Sequence, residues 1–138
     1  MDKALNLLAL ARKAGLAELG EEPVGAAARL LKAHLILVAG NASDHTWRRA
    51  KSFAAGTDQV CIRVKYTKDE MGFAIGRQEL AIAAITDAGM ALSIVEGLGE
   101  PQKYQEAIAV LTEKKKKAQQ RQKEAKAHQK NVRFGKKK

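Results

Sequence analysis

Three short apolar runs, HLILVAG at 34–40, VCIRVK at 60–65 and LAIAAI at 80–85, constrain this chain more than any other feature. Each is of strand length, below the ten or so residues an ordinary helix needs. The first and third read as strands buried on both faces. In the second, Val60, Ile62 and Val64 alternate with Arg63 and Lys65, the pattern of a half-buried strand.

What lies between the runs carries helical signals. From 2 to 14 the apolar residues Ala4, Leu5, Leu8 and Ala11 recur at helical spacing, Arg12 and Lys13 suit the negative end of the dipole, and Gly15 supplies a stop. A short extended piece follows at 16–19. Pro23 is tolerated in a first helical turn, so a second helix is expected from about 22 to 31. Ser43 or Asp44 caps a third, with Trp47, Ala50 and Ala54 inward, Arg48, Arg49 and Lys51 outward, and Gly56 at its end. Thr67 and Glu70 form a capping box for a fourth helix ending at Gly76, and Thr86-Asp87 cap a fifth running to about 98. Helices alternating with short strands predict one αβα sandwich around a small sheet.

After Gly99-Glu100-Pro101 a sixth helix is expected, docking through Tyr104, Ala107, Ile108 and Leu111. Beyond Lys114 it has no apolar stripe and must leave the surface. The chain thus divides into a body at 1–100 and a basic helical tail at 101–138. Charge divides more sharply still. Residues 113–138 hold 12 of the 25 Lys and Arg but 2 of the 15 Asp and Glu, leaving 13 of each sign in residues 1–112. The net +10 therefore belongs to the tail alone. Runs of this kind, here Lys114, Lys115, Lys116, Lys117 and Arg121 first, often act as nucleic-acid-binding arms.

Several chemistries fail on inspection. Gly20 and Gly25 have the glycine spacing of a phosphate loop, but Ala26-Ala27 stand where that motif needs Lys and Ser/Thr. Ser43-Asp44-His45 is better explained as a helix cap than as a triad, whose members must converge in space. His34, His45 and His128 are scattered and Cys61 is the single cysteine, so neither a metal constellation nor a disulfide framework is expected. No catalytic residues and no cofactor are assigned. No apolar run reaches the roughly 18 residues of a bilayer span, and Arg12-Lys13 follow the first apolar stretch instead of preceding it as in a signal peptide. The chain is read as a soluble, cytoplasmic, monomeric non-enzyme.

Glu21-Glu22, two adjacent acids at a helix start, would stabilise the dipole by about 0.3–1 kcal/mol. Their neighbours add a second meaning. LLALARKAGLAELGEE, ARLLKAHLILVAGNAS, DEMGFAIGR and AIAAITDAG, in that order over about residues 4–98, resemble the ribosomal protein L-seven-Ae / L-thirty-e family. Members of that family recognise kink-turn RNA, a sharply bent helix built on sheared G·A pairs, and small bacterial members are the nearest likeness. The resemblance implies a three-layer αβα fold around a mixed four-stranded sheet. It also implies RNA contacts at Gly20, Glu21, Glu22, Gly25 and Arg29 of the second helix, and at Arg77, Gln78, Glu79 and Leu80 of the loop before the last strand.

The chemistry behind that implication is plain. A carboxylate accepts hydrogen bonds from base N–H groups, helix N–H groups and arginines take phosphates, and Leu80 would pack on an unstacked base. Two departures stand out. Glu21-Glu22 replaces the Asn-Glu of archaeal and eukaryotic members, and Gly25 and Ala26 occupy places where related chains carry a phosphate-binding Lys. The expected function is recognition of structured, kink-turn-like RNA in association with the ribosome, the tail adding electrostatic affinity. The alternative is a protein–protein adaptor on the same fold, its tail giving only non-specific RNA attachment.

Overall fold

The computed structural model describes the backbone of residues 2–135 and the side chains of residues 2–126; the last part of the predicted tail, with His128, lies outside the described side chains. In chain order the elements are α1 (Lys3–Lys13), β1 (Ala17–Leu19), α2 (Glu21–Arg29), β2 (Leu35–Val38), α3 (Asp44–Ala54), β3 (Val60–Arg63), α4 (Lys68–Ala74), β4 (Ile82–Ile85), α5 (Ala88–Gly97) and α6 (Gln105–Gly135). The sheet has the order β1-β4-β2-β3. β4 runs antiparallel to both β1 and β2, and only β2 and β3 are parallel. Helices α2 and α3 pack on one face, α1, α4 and α5 on the other, giving the three-layer sandwich around a mixed sheet.

The core follows from the apolar runs. All four residues of β2 and all four of β4 are buried, while β3 buries only Ile62 fully. The strands are shorter than the apolar runs, although Ala39 N still donates to Ala81 O and Val64 N to Val38 O just beyond their ends. Ala4, Leu5, Leu8 and Ala11 form the buried face of α1. With aromatics at 4% of the chain, small Ala and branched aliphatics fill the interior.

Caps set the helix starts. Ser43, not Asp44, is the N-cap of α3, its Oγ accepting from Thr46 N at 3.2 Å. Thr67 and Glu70 close a reciprocal capping box at 3.1 and 3.0 Å, and Asp87 accepts from Met90 N at 2.8 Å. Gln59, a residue with no sequence signal, is buried and clamps two loops. Its Oε1 accepts from Ala33 N at 3.0 Å and its Nε2 donates to Ala28 O at 3.2 Å.

Tyr104, Ala107 and Leu111 are buried, so the first turns of α6 complete the core as the apolar spacing predicts. Tyr104 Oη donates to Arg63 O at the end of β3 (3.0 Å). From Lys116 to Lys126 the helix is exposed throughout. Among the described residues, no helix is long and apolar enough to cross a membrane.

Candidate nucleic-acid interface

Topology brings four connections to one end of the sheet. Strand β1 ends there at Leu19, opposite Ala83, and β2 ends there at Val38, opposite both Ile82 and Arg63. The β1–α2 turn, the β2–α3 loop, the β3–α4 loop and the α4–β4 loop therefore share one rim. Backbone hydrogen bonds stitch the rim together: Gly20 N to Ile82 O (3.0 Å), Ala39 N to Ala81 O (2.9 Å) and Gly40 N to Tyr66 O (2.7 Å). Lys68 N adds a bond to Asn41 Oδ1 at 2.8 Å.

Gly20 caps α2 at φ 100°, in the left-handed region where a side chain would be strained. The turn lets β1 pass directly into α2 and leaves its first N–H groups open. Glu21 and Glu22 occupy the first turn, but they behave differently. Glu21 Oε1 accepts from Thr46 Oγ1 at 3.1 Å and its Oε2 lies 3.6 Å from Arg49 Nε, tying α2 to α3. Glu22 is exposed and has no side-chain partner among the described residues. One acid is structural, and the other is presented.

The α4–β4 loop is held against α4 by glycine. A Cβ on Gly72 would stand 2.5 Å from Glu79 Cα and 2.6 Å from Glu79 N, a contact no side chain survives. Leu80 N donates to Lys68 O at 2.9 Å and pins the loop's far end. Arg77, Gln78 and Glu79 are exposed as a result, whereas Leu80 is only 3% exposed and belongs to the core.

Of the residues singled out by sequence, Gly20, Glu21, Glu22, Arg77, Gln78 and Glu79 meet at this rim. Arg29 stands two helical turns back along α2, about 12 Å from Glu21. Gly25 is buried for a local reason: a Cβ there would sit 3.1 Å from the Phe53 ring, so its smallness admits α3. Ala26, one place on, is exposed.

Arg48 and Arg49, in the first two turns of α3, bring positive charge to the rim that the candidate positions did not include. Their signal was visible as the outward face of α3. Arg49 also lies over Phe53 at 5.4 Å, and Arg63 over Trp47 at 5.1 Å with its Nη2 donating to Ala42 O. These contacts hold Arg63 beside the β2–α3 loop and Arg49 between α3 and the start of α2.

The tail cations lie elsewhere. Lys114 pairs with Asp58 at 3.4 Å with its side chain 10% exposed, Lys115 is half-buried, and Lys116 meets Glu113 at 3.7 Å. Lys117 and Arg121 are exposed and no carboxylate of the described residues is within ion-pair distance of either. Burial pushes the Cys61 thiol up to about 12, so it stays protonated at neutral pH. Among the described residues, no three His, Cys, Asp or Glu side chains stand together as a metal would require.

No family model matches the chain, and no curated protein does. Solved structures do. A protein of unknown function from Bacillus halodurans C superposes with a TM-score of 0.67 and 26% identity, covering 72% of this chain and 100% of that one. The Giardia lamblia 15.5 kD RNA binding protein superposes with a TM-score of 0.52 and 17% identity, over 72% of this chain and 84% of its own. The chain thus has the fold of a protein that binds RNA.

Proposed function

We propose that this chain is a non-enzymatic RNA-binding protein that acts as a monomer on bent, kink-turn-like RNA, ribosomal RNA being the intended partner. The observation that carries the reading is the shared rim: the open start of α2 with the unpaired Glu22, and the exposed Arg77–Glu79 loop beside it, joined through Gly20 N and Ile82 O. Helix N–H groups and arginines receive phosphate oxygens, and the Glu22 carboxylate accepts from base N–H groups that sheared pairing leaves free. Fold likeness to an RNA-binding protein supports the same partner class.

The test compares binding of a kink-turn RNA and of the same RNA with its G·A pairs replaced. It uses the full chain, the 1–112 fragment and Glu22→Ala, each at two salt concentrations. The fragment keeps Tyr104, Ala107 and Leu111, and with them the core. Selective binding by the fragment, lost in Glu22→Ala, is the expected result. Equal binding of both RNAs, only by the full chain, would leave the adaptor reading instead. That second reading has one observation in its favour: Phe73 on α4 is 76% exposed, an apolar ring offered to a partner.

A further inference from the structure

The course of α6 carries an inference about how body and tail share an RNA, and it rests on the reading just given. Helix α6 starts beside the rim, where Tyr104 holds the carbonyl of Arg63 at the end of β3. It then runs back along β3: Ala107 and Val110 line one groove with Val60, Cys61 and Ile62. By Lys114 it has reached Asp58, which precedes the start of β3. Ten helical residues advance about 15 Å, matching the roughly 13 Å of a four-residue strand. The exposed cations consequently emerge at the end of the sheet opposite Glu22.

A cleft of about 430 Å³ opens there, lined by Lys114, Lys117 and Arg121 of α6 facing His34, Asp58 and Asp87. Both acids are already engaged. Asp58 is paired with Lys114, and Asp87 caps α5. The cleft thus sets three cations against two carboxylates, and among the described residues no carboxylate lies within ion-pair distance of Lys117 or Arg121, with Lys115 packed nearby against Gly89. Arg121 stands about 25 Å along the helix axis from Tyr104.

We infer that the protein binds RNA at two separated points: the rim takes the bend, and the Lys117–Arg121 face of α6 takes the sugar-phosphate backbone of a different, flanking helix. A straight helix leading away from the rim cannot place these cations on the phosphates next to Glu22. The tail extends the footprint instead of thickening it.

The test uses the full chain and two kinds of RNA probe, a short one (a kink-turn with minimal arms) and a long one (the same kink-turn with one or the other arm lengthened by one helical turn). The expected result is that lengthening one arm tightens binding about tenfold at low salt. That gain disappears in Lys117→Gln/Arg121→Gln, whose salt slope on the long probe falls by about 2, one per cation removed. Glu22→Ala weakens both probes alike. Both tail residues are exposed, so the variant keeps its fold, which circular dichroism checks. An affinity indifferent to arm length, or a double variant that weakens short and long probes equally, would overturn two-point binding while leaving the rim reading intact. Failure of both probes to bind would sink the rim reading with it.

Discussion

Glu21 and Glu22 show how two identical side chains in adjacent positions take different work. Glu21 is committed to Thr46 and Arg49, and Glu22 to no side chain among the described residues. Glu21→Ala removes one hydrogen bond from a hydroxyl to a carboxylate and one half-exposed ion pair. It should cost about 1–2 kcal/mol of stability, read from urea unfolding. Glu22→Ala should leave stability within about 0.5 kcal/mol yet lose about 1–3 kcal/mol of kink-turn binding. Equal unfolding midpoints for the two variants would refute this division. His34 offers a separate prediction. Burial, with Lys114 nearby, lowers its proton affinity below the ordinary 6.5. The unfolded chain then binds more protons than the folded one in mildly acid solution, so stability falls as pH drops below about 6.5. Unfolding of His34→Gln beside the parent at pH 7.5 and 5 should show the parent losing more.

At the scale of elements, Gly72 is where the rim is most exposed to a small change. Gly72→Ala forces a methyl group into the backbone of Glu79, at 2.5 Å from its Cα. The cost expected is about 1–3 kcal/mol, and the displaced Arg77–Glu79 loop should lose RNA selectivity with it. A variant that binds and melts like the parent would show that the loop yields freely. Which elements exist was legible from sequence because each carries its own signal: unbroken Leu35–Val38, alternating Val60–Arg63, the Thr67–Glu70 box. Element ends were less legible. Helix α2 begins at Glu21 because Gly20 turns the chain at φ 100°, a geometry that no neighbouring residue announces. Contacts between elements were less legible still. The apolar run at 80–85 already places Leu80 in a buried strand, and the structure keeps it in the core instead of on the RNA face that the resemblance implies, whereas Gly25 reads as a binding-site vacancy until Phe53 is placed against it. The Gly25 contact depends on a residue distant in sequence, which periodicity does not encode.

The whole molecule is a neutral body with a basic rod, and that separation of charge has a measurable signature. If the full chain engages about six phosphates, its affinity should fall with a log–log salt slope of about −4 to −5. The 1–112 fragment, with equal numbers of acids and bases, should show a much shallower slope while keeping its preference for the bent RNA. Identical slopes would place the electrostatics in the body. The rod's first turns serve a different end as well. Strand β3 is an outer strand of the sheet, and α6 lies along it from Tyr104 to Val110. An uncovered strand of this kind offers its free N–H and C=O groups to any other chain. Here α6 stands where a second copy's strand would have to add, and Tyr104 already occupies the carbonyl of Arg63.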